Sequence, residues 1–236
     1  MELHFYDSLP STNRTAAEAA RAGAGEFYTV IAKEQTQGRG RMTRTFHSPI
    51  GGTYFSTVLR PKMSASDYGR ITPMAAVAVH RALWHVTGVR TEIKWVNDIL
   101  LGGRKLCGIL AESGTDQNGE PFVILGIGIN TAEVDFPQEL QGIAACLPVS
   151  DTSLLIGAIL AELAEYERII AQGAWLDDYR EHCAHLGEEI LVIEGDRSRL
   201  GTALDVLADG ALRVALEGGI EDLRGGEISI RPAQFY

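Results

Sequence analysis

The run Lys94-Trp95-Val96-Asn97-Asp98-Ile99-Leu100-Leu101-Gly102-Gly103-Arg104-Lys105-Leu106-Cys107-Gly108-Ile109-Leu110-Ala111-Glu112 decides how the chain is read. Glu92 to Val96 has strand composition and leads into a polar turn at Asn97-Asp98. Ile99 to Leu101 and Leu106 to Glu112 read as two more strands around a turn at Gly102-Gly103. The same run carries charge. Lys94 precedes the Asn-Asp turn, and Lys105 stands at the mouth of a strand that soon reaches Gly108. Lysine is a mobile point charge, suited to a phosphate or to an oxyanion forming at a carboxylate. Taken alone, these residues also make an ordinary β-hairpin with polar turns.

Strands and helices alternate on the N-terminal side. Ser11-Thr12-Asn13 opens an alanine-rich stretch, which predicts a helix from Asn13 to Ala22 ended by Gly23 and Gly25. Phe27 to Ala32 reads as a strand, Gln35 to Ile50 as an extended polar loop, and Gly52 to Leu59 as a strand. Ile71 to Val86 has apolar residues at helical spacing and reads as a core helix. Towards the C-terminus, Phe122 to Asn130 reads as a buried strand, Ser153 to Ala171 as one amphipathic helix, and Trp175 to His185 as another. After Gly187 come short strands at close spacing: Ile190–Ile193, Gly201–Val206, Ala211–Leu216 and Gly226–Ile230. They predict a small β-barrel or sandwich, with the boundary near residues 185–188.

Between the first two strands lies Gln35-Thr36-Gln37-Gly38-Arg39-Gly40-Arg41-Met42-Thr43-Arg44. Glycine lets backbone amides approach an anion, and arginine offers paired donors to phosphate or carboxylate. A solvated basic loop or an RG-type RNA-binding segment is the alternative, though no aromatic residues are interleaved to stack on bases. Gly126-Ile127-Gly128-Ile129-Asn130 is either a buried strand of small residues or a strand whose Asn reaches a nucleotide. It has neither P-loop spacing nor a dinucleotide fingerprint.

The composition narrows the classes further. The 236 residues carry a formal net charge of −10 from 21 Lys+Arg and 31 Asp+Glu, which argues against a general nucleic-acid face. No apolar run is long enough to span a membrane and no leader is visible. Cys107, Cys146 and Cys183 form no CxxC pair, which points to a reduced, cytoplasmic chain without a thiolate zinc site. The six histidines (His4, His47, His80, His85, His182, His185) form no metal motif, and His80 and His85 read as structural or surface residues. A nucleophile elbow is also absent.

Taken in order, Ser11-Thr12-Asn13, Gly38-Arg39-Gly40-Arg41 with Ser48-Pro49, Lys94-Trp95-x-Asn97-Asp98, Arg104-Lys105-Leu106-x-Gly108-Ile109-Leu110 and Gly128-Ile129-Asn130 resemble the biotin–protein ligase family. The resemblance runs from about residue 3 to 180 and extends to the C-terminal β module. It implies an α+β fold: a class II synthetase-like mixed β-sheet with helices over 1–185, then a small SH3-like β-barrel over 186–236. It also implies the short form without a DNA-binding domain.

The activity implied is formation of biotinyl-5′-AMP from biotin and MgATP, then transfer to a lysine of a biotin carboxyl carrier domain. The fold is shared with lipoate or octanoate ligases, the nearest alternative. A non-catalytic binder would lack Lys105 or Arg41, and neither is missing. By this resemblance Lys105, Arg39, Arg41 and Asp98 are the catalytic set, with Asp98 assisting the acceptor lysine. Biotin is bordered by Ser11, Thr12, Asn13, Gln35, Gly38, Arg39, Gly40, Arg41, Lys105 and Gly108. The nucleotide falls to Arg41, Arg44, Phe46, Lys94, Asn97, Asn130 and Arg231. ATP, Mg²⁺ and the carrier domain are the partners, with no DNA, no membrane, and a homodimer by analogy. Metal ligands are not assigned. Three positions depart from the family pattern: Thr43 stands for a glycine, Phe46 for the tryptophan over the adenine, and Val96 for a proline.

Overall fold

The computed structural model describes residues 1–42, 44–225 and 228–233. Seven strands form the first sheet: β1 (Glu2–Leu9), β2 (Tyr28–Gln35), β3 (Thr53–Leu59), β4 (Glu92–Lys94), β5 (Asp98–Leu101), β6 (Arg104–Thr115) and β7 (Pro121–Ile129). Their order is β1-β2-β3-β7-β6-β5-β4, with β1–β2 parallel and the other neighbours antiparallel. The parallel pair is joined through helix α1 (Thr12–Arg21).

Ala16 and Ala20 of α1 pack against Val30, Val58, Phe122 and Ile124 on one face of the sheet. Small alanines allow this close approach. The other face meets α2 (Ile71–Thr87) and α3 (Thr152–Leu163): Phe55, Leu59, Ile127 and Ile129 join Ala75, Val79, Leu83, Leu155 and Ile159 in the main core. Strands β3 and β7 are therefore covered on both sides, which explains their nearly continuous apolar sequence.

The single helix expected over Ser153–Ala171 is two. Asp151 caps α3 by accepting from Leu154 N, and the helix ends before α4 (Tyr166–Gln172). Tyr166 is buried there, with its hydroxyl donating to Glu26. No Gly or Pro marks the break, so helical periodicity runs through it unnoticed. Helix α5 (Ala174–His182) follows. Strand β1, with most residues exposed, was not expected from sequence. Strand β4 stops at Lys94 rather than Val96, and the Trp95–Val96 peptide is cis.

The C-terminal strands are β8 (Glu189–Glu194), β9 (Arg197–Val206), β10 (Leu212–Leu216), β11 (Gly219–Leu223) and β12 (Ile228–Pro232). They form an antiparallel sheet in the order β11-β10-β9-β8-β12. Where an SH3-like barrel was expected, edges β11 and β12 do not pair among the described residues, so the sheet is not closed. Strand β11 was also unexpected. Gly226 and Glu227, the start of the last expected strand, lie outside the described residues.

One core is continuous through both sheets: Ile190, Val206 and Leu212 share it with Trp95 and Tyr179. The Trp95 indole N–H donates to Gly210 O at 3.0 Å, and Arg180 grips Asp205 through two hydrogen bonds of 2.7 and 2.8 Å. This docking brings β12 over the end of the first sheet.

Candidate active site

A groove crosses the first sheet between the start of α1 and β12. Its floor is glycine. Gly108 on β6 faces Gly128 on β7, and the Phe46 ring lies on both: a Cβ at these positions would come within 2.9 and 2.6 Å of ring carbons. Side chains there would lift Phe46 away. Gly126, two residues along β7, serves Asn13 in the same way, because a Cβ would collide with Asn13 Oδ1.

The α1 end of the groove is lined by the neutral side chains of Ser11, Thr12, Asn13 and Gln35 and is densely hydrogen-bonded. Gln35 Oε1 accepts from Thr12 N at 2.8 Å and Thr12 Oγ1 at 3.0 Å, while Gln35 Nε2 donates to Ser48 Oγ at 3.0 Å. Ser56 Oγ on β3 sits 2.7 Å from Thr12 Oγ1 and 2.6 Å from Asn13 Oδ1. Asn13 Nδ2 donates to Glu112 Oε2 at 2.8 Å. Both amide orientations are therefore fixed by their partners. Ser11 precedes the helix in extended conformation but makes no side-chain cap bond, leaving its hydroxyl free of that task.

The expected open loop over 35–50 folds back as an irregular hairpin above the floor. Gln35 bridges Ser48, Phe46 N donates to Gly38 O at 2.9 Å, Arg39 bridges Thr45, and Gly40 N donates to Arg44 O at 2.8 Å. Gly38 lets this fold tighten, because any Cβ would strike Phe46 O and Ser48 Oγ. Met42, near the tip, has φ of +59°. Thr43 lies outside the described residues.

The other end of the groove is cationic. Arg39, Arg41, Arg44, Lys94, Lys105 and Arg231 line the groove; among the described lining residues Asp98 is the one carboxylate, and Glu112, just outside the lining, pairs with Arg39 at 3.0 Å. Burial, only partly countered by Asp98, pulls the Lys94 ammonium below its usual range, and Lys105, Arg231 and Arg44 push it further the same way. Burial also lowers the Arg41 guanidinium. Arg41 Nη1 donates to Asn97 Oδ1 at 3.1 Å and Nη2 to Ile228 O at 2.9 Å, so the hairpin is tied to both modules. Asn97 is itself held by its Nδ2 bond to Ile109 O at 2.8 Å. Lys105 Nζ pairs with Asp98 at 2.6 Å and stands 5.7 Å from the Phe46 ring centre. A net-acidic chain thus concentrates positive charge at one spot, the arrangement that stabilises a bound anion.

Of the residues singled out from sequence, Ser11, Thr12, Asn13, Gln35, Arg39, Gly40, Arg41, Arg44, Phe46, Lys94, Asn97, Asp98, Lys105, Gly108 and Arg231 meet at this groove. Gly38 and Asn130 are not among its lining. Asn130 sits behind it, donating from Nδ2 to Ala145 O at 2.9 Å and from its backbone N–H to Leu106 O at 3.0 Å. Sequence reasoning missed Ser56, Glu112 and Ser229. The two-residue period of a strand puts Leu110 and Glu112 on the face of Gly108, a signal that was available. Ser56 becomes relevant only through the pairing of β3 with β7, which one sequence does not disclose.

Residues 5–130 match the biotin/lipoate A/B protein ligase family, and residues 185–231 match the biotin protein ligase C-terminal domain. The chain is similar to the bifunctional ligase/repressor BirA of Bacillus subtilis, with 44% identity over 61% of this chain and 46% of that protein, so the match spans less than half of that relative. It is 32% identical to the biotin–acetyl-CoA-carboxylase ligase of Paracoccus denitrificans, over 92% of this chain and 96% of the relative. Its structure superposes on the biotin protein ligase from Aquifex aeolicus in complex with biotin and ATP with a TM-score of 0.82 and 25% identity, covering 98% of this chain and 99% of the other. Glycine floor, arginine hairpin and lysine turn thus lie within a chain that belongs to the biotin/lipoate A/B protein ligase family and carries the biotin protein ligase C-terminal domain.

Proposed function

We propose that the chain activates biotin with ATP and transfers it to a lysine of a biotin carboxyl carrier domain. In the first step a biotin carboxylate oxygen attacks the α-phosphorus, and pyrophosphate leaves as biotinyl-5′-AMP forms. In the second step the lysine amine attacks the acyl carbon, an amide forms and AMP leaves. The observation that carries this reading is the polarity of the groove. A neutral hydrogen-bonding end suits a ureido ring, and six cations suit a carboxylate beside phosphates. The Paracoccus relative and the Aquifex structure, each a biotin ligase by name, support the same reading.

In this reading Ser11, Thr12, Asn13 and Gln35 hold biotin, with Gly40 and Gly108 allowing close approach. Arg39, Arg41 and Lys105 offset the repulsion between carboxylate and phosphate. Lys94, Arg44, Asn97, Phe46 and Arg231 border the nucleotide. Asp98 takes a proton from the acceptor amine, while Gly38 and Asn130 act from behind by shaping the hairpin and the end of β7.

Mg²⁺ fits as an ion carried on the ATP phosphates, where it would neutralise charge. Among the described residues no group of three His, Cys, Asp or Glu is placed to cage a metal. Two structural units (1–185 and 186–236), a cytoplasmic location, homodimer formation and lack of DNA binding belong to the same proposal. Among the described residues no helix is long and apolar enough to cross a membrane.

The test is direct. Purified protein given biotin, ATP and Mg²⁺ should release pyrophosphate and label the lysine of a carrier domain. Pyrophosphate release with lipoate or octanoate but not with biotin would overturn the proposal.

A further inference from the structure

We infer that Glu112 is a positioning residue that latches the arginine hairpin to the first turn of α1 and so organises the groove from both ends. Its two carboxylate oxygens have different partners. Oε2 accepts from Asn13 Nδ2 at 2.8 Å, and Oε1 lies 3.0 Å from Arg39 Nη2. Asn13 is 5% exposed and lies across Gly126, so its amide has little room to move. An ionised carboxylate only accepts hydrogen bonds, so it turns the NH₂ of Asn13 towards β6 and its oxygen towards Ser56. That fixed oxygen and the chain Ser56–Thr12–Gln35–Ser48 run back into the base of the same hairpin.

The hairpin is thereby held at two points by one polar chain, at Ser48 through Gln35 and at Arg39 through Glu112. Cutting the chain at Glu112 frees Arg39 and unfixes Asn13 together. A partly exposed ion pair contributes little to overall stability, so the effect should fall on the hairpin and not on the fold. A ligand that needs both Asn13 and Arg39 would then have to order them itself, and its affinity would drop.

This inference rests on the proposed biotin site, and its test includes a readout that needs no ligand. The hairpin offers trypsin three arginines: Arg39, Arg41 and Arg44. Glu112→Gln keeps the size of the side chain and removes its charge. Nicking within 39–44 of the ligand-free variant should be at least about fivefold faster than in the parent, because the hairpin opens more often. KM for biotin in pyrophosphate release should rise by about tenfold, with kcat at saturating biotin changed by less than about threefold. Thermal unfolding checks that the variant is folded. If it is not, Glu112→Asp is used, because its shorter carboxylate reaches one partner and not both, and the same two shifts are expected. Parent-like nicking or a parent-like biotin KM in the folded variant overturns the latch. A parent chain that does not turn over biotin, beside a variant that nicks faster, would strike the proposed function and leave the latch standing.

Discussion

The Lys105 ammonium on β6 lies 2.6 Å from an Asp98 carboxylate oxygen at the start of β5. Antiparallel pairing of β5 and β6 sets Asp98 opposite Gly108 and Lys105 opposite Leu100, with a register shift at Ile99/Leu100, so the Lys105 side chain reaches along the hairpin to meet Asp98. In the proposed reaction this contact would stand where the biotin carboxylate meets a phosphate. An anion bound in that reaction would draw Lys105 away and leave Asp98 to take the proton of the acceptor amine. Lys105→Ala should lower biotin-dependent pyrophosphate release by about 10² or more, the scale for losing a donor aimed at developing charge. The melting temperature should move by only a few degrees, because a partly exposed pair contributes about 1 kcal/mol or less. Full adenylation in that variant would refute the role given to Lys105.

Asp98 should matter in the other half-reaction. Asp98→Asn keeps the shape and removes the base. Adenylate formation is expected to stay within several-fold of the parent, while transfer from preformed biotinyl-adenylate to the carrier slows by about 10². Rapid-quench measurement of the two steps separates them. Equal slowing of both would remove Asp98 from proton transfer.

Arg41 joins the hairpin to Asn97 and to the Ile228 carbonyl of β12, so it couples the lid over the groove to the C-terminal module. Hydrogen bonds from a charged donor contribute about 1.5–3 kcal/mol each. Arg41→Gly should therefore release preformed biotinyl-adenylate at least about tenfold faster, and escaped intermediate should label lysines on a bystander protein. Unchanged release kinetics would show that the lid is held elsewhere.

Much of this site was legible because its parts are short and local. Gly-Arg-Gly-Arg, Lys94 to Asp98 and Lys105 to Gly108 each announce their chemistry within a few residues, and the core strands announce themselves by apolar runs. What stayed hidden depends on pairing. Ser56 meets Asn13 only because β3, β7 and β6 lie side by side, and Glu112 reaches Arg39 only because the presumed open loop folds over the sheet. Asn130 has a structural use that its sequence position does not disclose. Its position after Gly128 suggested a ligand contact, yet its amide is used to sew the Ala145 segment to β7. Strand β1 was missed because most of its residues are exposed, so no buried alternation marks it.

Gly126 offers a packing test. An added methyl group would meet Asn13 Oδ1, and Asn13 is pinned by Ser56 on one side and Glu112 on the other. Overpacking of a rigid site costs about 1–3 kcal/mol. Gly126→Ala should lower the thermal midpoint by several degrees and weaken biotin affinity. Gly119→Ala, an exposed turn position with φ of +80° and open space around it, should leave biotin affinity alone although it too is strained. Equal biotin affinity in the two variants would show that Asn13 can move aside.

The buried histidines set a pH dependence of stability. His80 is 6% exposed, its Nδ1 lies 2.9 Å from Thr91 Oγ1, and its ring centre is 4.1 Å from that of His182. Burial, then the neighbouring His182, pulls it from 6.5 down to about 4, with Asp178 opposing and Arg81 adding to the fall. Burial and Lys94 bring His185 to about 4 as well. The folded chain therefore binds fewer protons than the unfolded chain between about pH 4 and 6.5, and stability rises with pH across that window. It is fully present above pH 6.5 and lost as pH falls towards 4. A fall from 6.5 to about 4 corresponds to on the order of 3 kcal/mol for His80 at most. Urea midpoints should hold between pH 8 and 7 and drop steadily from 6.5 to 4.5. In His80→Gln, which can still bond Thr91, the drop should be shallower by roughly half, since His185 remains. An identical slope in parent and variant would mean that carboxylate pairs, and not these rings, carry the acid sensitivity.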